Sequence, residues 1–180
     1  PQWRVIKGGS RQYLAPLTSS FLHCIKTNTD ISQIERNANQ VLITTADGRC
    51  ESFDYLVMAT HSDQALSLLT RSLLTKPLST HADPLEAEIL GAIPYQNNEV
   101  VLHTDSSLLP AKRRAWACWN YRLSEQDNKE MLNAGAMSKL TYNMNMLQGL
   151  NAPETFCVSL NQTANIAEDK ILRTFNYSHP

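Results

Sequence analysis

The sequence predicts an α+β fold, a mixed α/β class in which strands and helices occupy different stretches of the chain. Residues 31–60 hold short β-prone runs separated by turn dipeptides. Beyond residue 62 the apolar spacing becomes helical and then returns to four further β-prone runs. With 180 residues and a hydrophobic share of 42%, the chain is large enough for one ordinary domain or two small lobes.

The first β-prone region is predicted to be a three-stranded meander. Its strands are Ile31–Arg36, Val41–Thr45 and Cys50–Phe53. The first two are separated by residues 37–39, and the last two by Asp47-Gly48, a strong tight-turn dipeptide. The next run, Tyr55–Thr60, is continuously apolar and has the length of a strand buried on both faces. A buried strand that ends in polar residues is typical of a ligand-binding edge.

Three helices are predicted. One begins at Ser62 or Asp63, and its apolar face consists of Ala65, Leu66, Leu68 and Leu69. A second has Asp83 as N-cap, Pro84 at the first position and Glu86 completing a capping box, and it ends near Gly91. Near the N-terminus, Gly8-Gly9-Ser10 can open a third helix, which Pro16 delays or breaks.

The C-terminal two thirds is predicted to contain a mixed sheet flanked by these helices. Its candidate strands are Glu99–Thr104, Ala115–Tyr121, Lys139–Met146 and Phe156–Asn161. The change of pattern near residue 62 is the best candidate boundary between two lobes.

Charge and composition exclude several classes of partner. Sixteen basic and 17 acidic residues nearly cancel, and the one basic cluster is Lys112-Arg113-Arg114, so a nucleic-acid partner is not expected. No apolar stretch approaches the length of a membrane span, and no signal peptide is recognisable, so we expect a cytoplasmic protein without a membrane span. The four cysteines lack zinc-site spacing and are expected to be reduced and mostly buried. The termini, Pro1 and Pro180, favour an internal fragment of a longer chain.

The order of these elements resembles a known superfamily. Gly8-Gly9-Ser10, Ile31-Ser32-Gln33-Ile34, Asp47-Gly48 and the run Phe53-Asp54-Tyr55-Leu56-Val57-Met58-Ala59-Thr60 follow one another as in the central segment of flavin-containing amine oxidases and phytoene-desaturase-like proteins. The continuation is similar to a bacterial branch described as predicted NAD/FAD-binding proteins. The segments that carry this second likeness are His61 to Leu66, Tyr95-x-x-Asn98, Leu102 to Asp105 and Trp116-x-x-Trp119-Asn120-Tyr121.

The resemblance implies a discontinuous FAD-binding domain into which a substrate domain is inserted. Residues 1–62 then correspond to the middle segment of the FAD-binding domain, and residues 63–180 to the substrate domain, with a return to the FAD domain near the C-terminal end. Ile31, Thr60 and His61 match positions near the cofactor. The Gly-x-Gly-x-x-Gly turn that places the pyrophosphate at a helix N-terminus does not occur in the sequence. FAD is therefore expected in the full-length parent and not in this fragment alone.

The same resemblance implies an oxidoreductase that transfers a hydride from an apolar organic substrate to flavin. Many amine oxidases carry a flavin-facing Lys after the Pro that matches Pro94, and the stretch Gln96–His103 has none. An amine, a polyene and an acyl chain all stay open as substrates. The residues predicted to bind substrate are Tyr95, Asn98, Trp119, Asn120 and Tyr142. For the aromatic ones, packing in the core is the competing interpretation.

Two other functions stay open on the sequence alone. One is a non-catalytic ligand-binding domain that keeps the aromatic sheet. The other is a metal-dependent hydrolase, because His61-Ser62-Asp63, His81-Ala82-Asp83 and His103-Thr104-Asp105 are three His-x-Asp units. Helix capping by Asp83 and Asp63 argues against a metal site, so none is predicted. Self-association also stays open for a fragment whose apolar surfaces belong against other segments.

Overall fold

The computed structural model describes residues 4–71, 83–121 and 139–180. The chain contacts divide it into two compact units. We call Pro1–Leu22 with Gln96–His179 the sheet unit, and His23–Tyr95 the meander unit. The α+β class is confirmed, since helices accompany one three-stranded and one five-stranded sheet. The predicted division of the FAD and substrate domains at residue 62 stays a prediction.

The N-terminal segment forms short helical pieces. A 3-10 turn at Ser10–Tyr13 leads into helix α1, Leu14–Thr18, and a second 3-10 turn spans Leu22–Cys24. Gly8 and Gly9 precede them with φ of 82° and 89°, a backbone conformation that only glycine adopts without strain. The predicted helix therefore opens at these glycines and is broken into pieces, as a proline within it leads one to expect.

The meander is confirmed at the predicted residues. Strands β1 (Ile31–Arg36), β2 (Val41–Thr45) and β3 (Cys50–Phe53) form an antiparallel sheet in the order β1-β2-β3. Gly48 turns the chain between β2 and β3 with φ of 85°, and its amide donates to the Thr45 carbonyl at 2.9 Å. Local turn chemistry therefore sets the register of this sheet.

The predicted buried strand at Tyr55–Thr60 is wrong. No residue of this run is in a strand, and Tyr55 and Val57 are 90% and 88% exposed. An apolar run becomes a central strand only when neighbouring strands satisfy its backbone and layers cover both faces. In the described part of the chain, no strand pairs with this run and no layer covers the side chains of Tyr55 and Val57.

Two helices complete the described part of the meander unit. Helix α2, Ser62–Arg71, buries Ala65 and Leu69. Together with Ile34 of β1 they are the buried apolar side chains among the described residues of this unit. Helix α3, Pro84–Gly91, has the predicted capping box, in which Asp83 accepts from the amide of Leu85 and Glu86 accepts from the amide of Asp83.

The five-stranded sheet belongs to the sheet unit. Its strands are β4 (Gln96–His103), β5 (Trp119–Tyr121), β6 (Leu140–Asn143), β7 (Cys157–Leu160) and β8 (Ile171–His179), in the order β5-β6-β7-β4-β8. All four of its strand pairs are antiparallel, so the expected mixed sheet is wrong. The nine-residue β8, which the sequence analysis missed, covers the outer edge of β4.

Two of the predicted strands are shorter than expected because helical turns replace their ends. Ala115 closes a 3-10 turn, Arg113–Ala115, before β5 begins. After β6 the side chain of Asn143 accepts a hydrogen bond from the amide of Met146 and caps helix α4, Met144–Gln148. A side-chain acceptor at the N-cap turns the chain from strand into helix.

All four cysteines are free thiols, as expected, but they are not mostly buried. Cys24 and Cys50 are exposed, Cys118 is half-buried, and Cys157 is buried on β7. Among the helices in the described parts of the chain, none combines the length and the apolarity that crossing a bilayer requires.

Candidate functional site

One face of the five-stranded sheet is apolar and aromatic. Residues directly opposite one another in an antiparallel register share a face. One row across the sheet runs Trp119, Tyr142, Val158, Leu102 and Arg173. The next row runs Tyr121, Leu140, Leu160, Val100 and Phe175. We call these ten residues, with Tyr177 further along β8, the aromatic face.

The rings on the aromatic face contact one another and stay accessible. Trp119 and Tyr142 meet edge to face with centroids 5.9 Å apart, and Phe175 stacks on Tyr177 at 5.7 Å. The Arg173 guanidinium lies 5.1 Å from the Phe175 ring centroid. Trp119 is 61% exposed and Tyr142 is half-buried. The face therefore presents an accessible apolar surface of the kind that binds apolar ligands.

The opposite face of the same sheet is buried and unusually polar. Its buried polar side chains, taken in the order of the strands from β5 across β6 and β7 to β4, are Asn120, Thr141, Asn143, Ser159 and His103. His103 Nε2 lies 2.8 Å from Ser159 Oγ, and Ser159 Oγ lies 2.8 Å from Thr141 Oγ1. Gln162 also donates to Thr141 Oγ1 at 3.3 Å. These contacts link β4, β7 and β6 through side chains as well as through the backbone ladder.

This network is not arranged for nucleophilic catalysis. The amide of Asp105 donates to His103 Nδ1 at 3.1 Å, so the remaining proton of the neutral ring is on Nε2 and points to Ser159. Burial lowers the pKa of His103, although Asp105 acts in the other direction. A general base would have to accept the serine proton at Nε2, and here that nitrogen donates.

Asp105 holds the segment after β4 in place. Its Oδ1 accepts from the amide of Ser107 and its Oδ2 from the amide of Ala167, at 3.0 and 2.9 Å. Burial opposes ionisation of this carboxyl, but the two backbone donors and nearby Lys170 prevail and lower its pKa to about 2. Asp105 is therefore ionised and fully engaged at neutral pH.

The predicted substrate residues fall in several places. Trp119 and Tyr142 come together on the aromatic face. Asn98 shares that side of β4 but is buried; its Oδ1 accepts from Asn161 Nδ2 at 2.8 Å and its Nδ2 donates to the Gln96 carbonyl at 3.0 Å. The bond to Asn161 connects β4 to the turn after β7, so the Asn98 side chain stabilises the fold.

Asn120 lies on the face opposite Trp119. Its Oδ1 accepts from the amide of Ala117 at 3.0 Å, and its Nδ2 donates to the Ala117 carbonyl at 2.7 Å. The side chain thus closes the turn that leads into β5. It also lines a cavity of about 570 Å³ together with Leu108, Pro110, Trp116 and Tyr121. This volume is within the range of small-molecule sites.

Tyr95 belongs to the meander unit, where it meets one of the predicted cofactor residues. Its hydroxyl accepts from the amide of Ser62 at 2.9 Å and thereby satisfies a free donor in the first turn of α2. The His61 ring lies 5.2 Å from the Tyr95 ring, and the Thr60 hydroxyl donates to the His61 carbonyl at 3.3 Å. Thr60, His61 and Tyr95 therefore form one small polar and aromatic cluster at the start of α2.

The described residues fit peripheral contacts with a dinucleotide and do not fit its pyrophosphate. Ile31 is on β1, an edge strand with one side of its backbone unpaired in the three-stranded sheet, and Thr60 and His61 are exposed. Gly8 and Gly9 lead into a short 3-10 turn rather than a helix long enough to receive phosphate.

A metal site finds no support in the described part of the chain. No group of three or more His, Cys, Asp or Glu side chains there is arranged to hold a metal ion. Asp83 is an N-cap and Asp105 binds backbone amides, while His81 lies outside the described residues. The metal-dependent hydrolase is not favoured.

The main residues that sequence reasoning missed are on β8. Phe175 and Tyr177 extend the aromatic face, and Arg173 gives it a positive charge. The signal was available, because Leu172-Arg173-Thr174-Phe175-Asn176-Tyr177 combines β-branched and aromatic residues with partial alternation.

Comparison with known proteins identifies the family. No curated protein sequence matches this chain. A model of the family described as flavin containing amine oxidoreductase matches residues 2–149, which include the meander and strands β4, β5 and β6 of the five-stranded sheet. The bacterial branch suggested by the sequence stays a prediction. The chain belongs to the flavin-containing amine oxidoreductase family.

Proposed function

We propose that this chain supplies the substrate-side wall of an FAD-dependent oxidoreductase, and that the aromatic face holds an apolar organic substrate from which a hydride is removed. When bound, FAD supplies the hydride acceptor. The observation that carries the proposal is the apolar row Trp119, Tyr142, Val158 and Leu102 across four adjacent strands.

The dimensions of the face suit a flat or extended substrate. Neighbouring strands are about 4.8 Å apart, so the row from Trp119 to Leu102 spans about 14 Å. Aromatic rings supply large contact areas that exclude water, and orientation with exclusion of water is the main contribution that a protein makes to hydride transfer. Trp119 and Tyr142 meet edge to face at 78°, so one ring can stack on a flat substrate while the other contacts its edge.

The charge on the face argues for a neutral substrate. Arg173 lies at the end of the row that begins with Trp119, and none of the other described residues of the face carries a charge at neutral pH. A protonated amine would meet an unfavourable positive charge there and find no carboxylate. With no Lys between Gln96 and His103, this arrangement favours a polyene or an acyl chain over an amine.

The cofactor contacts proposed for this chain are few. They are the backbone at Ile31 and the turn at Thr60 and His61, all within the meander unit. Without a pyrophosphate cradle, these contacts support at most weak binding of FAD by the 180 residues alone. Tight FAD binding and catalysis therefore belong to the full-length parent protein.

Visible absorption spectra test the proposal. The purified full-length parent is expected to show flavin bands, and the 180-residue chain none. Adding a panel of polyenes, acyl compounds and amines under anaerobic conditions should bleach the parent's flavin with one of the first two classes. A colourless parent that takes up no added FAD would refute the proposal and leave a non-catalytic ligand-binding domain as the better interpretation.

A further inference from the structure

Trp116 also lines a second cavity, whose other lining residues differ from those of the cavity at Asn120 and Leu108. It has a volume of about 300 Å³, and its lining includes Arg113, Trp116, Asn143, Asn145, Met146 and Thr155. The Arg113 guanidinium is 5.2 Å from the Trp116 ring centroid. The Trp116 ring is itself fixed by its indole N–H, which donates to the Pro110 carbonyl at 2.8 Å. The cation is therefore held against a rigid apolar wall.

Asn143 brings an unused donor to this cavity. The residue is 1% exposed, and its Oδ1 accepts from the amide of Met146 at 3.1 Å. Because an amide N–H needs an acceptor, this bond fixes which end of the side chain is oxygen. The Asn143 side-chain NH₂ then has no hydrogen-bond partner within the described ranges. A buried donor without a partner is rare and costly, and it points to a ligand or water that accepts from it.

The charges around the cavity favour an anion. Arg113 is exposed and makes no ion pair with any residue that the structure describes. The Asn145 side chain is already occupied, since it accepts from the amide of Phe156 and donates to the Glu154 carbonyl, both at 2.8 Å. No carboxylate is among the described lining residues, although Glu154 is exposed between lining residues Pro153 and Thr155.

We propose that this cavity binds a small organic carboxylate. The carboxylate accepts hydrogen bonds from the Asn143 amide and the Arg113 guanidinium, while its apolar body lies between Trp116 and Met146. A volume near 300 Å³ accommodates one ring or a short chain. Successive residues of a strand point to opposite faces, so Asn143 faces away from Tyr142 and the aromatic face. The inference is therefore independent of the proposed function.

Calorimetric titration with benzoate tests the site, with benzamide as the neutral probe of the same shape. Arg113→Gln removes the cation. Asn143→Asp keeps an acceptor for the Met146 amide but replaces the NH₂ donor by a carboxylate oxygen. Arg114→Gln is the matched control, since this neighbouring exposed cation does not line the cavity. Thermal unfolding of each variant verifies that it is folded.

Benzoate is expected to bind, and benzamide to bind at least about tenfold more weakly, because hydrogen bonds to a charged group contribute more than neutral ones. Arg113→Gln and Asn143→Asp should each weaken benzoate binding by about tenfold or more, and Arg114→Gln by less than about twofold. Glu154→Gln should strengthen it slightly.

Three results with benzoate would overturn the inference. They are no benzoate binding up to about 20 mM, equal affinities for benzoate and benzamide, and equal losses in Arg113→Gln and Arg114→Gln. Inorganic phosphate is the remaining probe. If it displaces benzoate at equal or lower concentration, the cavity selects phosphate and the carboxylate assignment is wrong.

Discussion

His103 and Ser159, 56 positions apart in the chain, are both inaccessible to solvent and are joined by a 2.8 Å contact between Nε2 and Oγ. The contact lies between two paired strands, β4 and β7, on the buried side of the sheet. Because burial lowers the pKa of His103 and the Asp105 amide donates to Nδ1, the ring is neutral at pH 7 with its proton on Nε2. A histidine beside a serine is here part of the sheet's internal bonding rather than of a catalytic pair.

The first prediction concerns the pH dependence of stability. Burial lowers the pKa of His103 in the folded protein, whereas an unfolded histidine has a pKa of about 6.5. As the pH falls below about 6.5 the unfolded chain takes up a proton first, so the free energy of unfolding decreases and then levels off below the folded pKa. Urea unfolding at several values between pH 7.5 and 5.5 measures this decrease.

The histidine responsible can be identified by substitution. His103→Gln should cost about 1–3 kcal/mol at pH 7.5, because buried hydrogen bonds are lost, and should flatten the decrease. His23→Gln, at an exposed position, should leave the decrease intact. If His103→Gln shows the same pH dependence as the unmodified protein, the assignment is wrong.

The second prediction concerns Asp105→Asn. An amide offers one oxygen where the carboxylate offers two, and its NH₂ group would face a backbone donor of Ser107 or Ala167. We expect a loss of about 2–3 kcal/mol in the free energy of unfolding at pH 7. With a folded pKa of about 2 against 3.8, the carboxylate's contribution should disappear as the pH falls from about 4 to 2. Asp169→Asn, at an exposed site, is the control and should change little.

The third prediction concerns the ion pair between β1 and α3. Arg36 Nη1 and Nη2 donate to the two oxygens of the Glu86 carboxylate, at 2.8 and 2.7 Å, and this pairing lowers the Glu86 pKa to about 2. Because both side chains are about one third exposed, Glu86→Gln should cost only about 1 kcal/mol, well below what the pKa alone implies.

Gln at position 86 can still accept from the Asp83 amide, so the substitution leaves the capping box in place and reports on the ion pair. Glu51→Gln breaks the more exposed pair with Lys26 and should give no resolvable change in denaturant midpoint. Equal effects of the two substitutions would contradict a specific role for Arg36 and Glu86.

The fourth prediction concerns thiol reactivity. Burial, with Asp105 nearby, raises the pKa of Cys157 to about 11, and the thiolate is the reactive form. A chromogenic disulfide reagent should modify Cys24 and Cys50 quickly, Cys118 more slowly, and Cys157 only after unfolding. Mass spectrometry of peptides taken during the reaction gives the order. Rapid labelling of Cys157 in the folded protein would contradict the buried position of β7.

The fifth prediction concerns Trp119 on the aromatic face. Trp119→Ala should leave the unfolding midpoint nearly unchanged, because the side chain is largely exposed, and should weaken binding of an uncharged apolar dye by about threefold to tenfold. Fluorescence titration with Nile red measures the change. Tyr55→Ala removes a more exposed aromatic ring outside the sheet and should have no such effect; equal losses would show that the dye does not select the aromatic face.

The sequence was sufficient wherever neighbouring residues decide the structure. Asp47-Gly48 sets the turn between β2 and β3, and Asp83, Pro84 and Glu86 start α3 at the predicted position. The turn dipeptide and the capping box each act over two to four residues, so they are independent of the tertiary contacts of the rest of the chain. Residue type alone suggested Trp119 and Tyr142 as substrate residues, and that role stays a prediction; the pairing of β5 with β6 brings their rings together.

Features that depend on distant pairing were not predictable in the same way. Which side of the sheet Asn120 faces follows from the register of β5 on β6, and the donor role of His103 follows from Asp105 and Ser159 together. The fate of Tyr55–Thr60 depends on cover from other segments, which no local pattern records. Strand β8 is the exception, because residues Leu172 to Tyr177 carry a local β-strand pattern that the sequence-based prediction missed.

The uncovered run that follows β3 has a practical consequence for handling the protein. Tyr55 to Thr60 contains no charge, proline or glycine, and such six-residue stretches can stack in register between identical molecules as cross-β aggregates. Asp54 is the single acidic gatekeeper on its N-terminal side, and its repulsion is screened as salt is added. Concentrated, high-salt solutions are therefore expected to favour fibrillar association through this run.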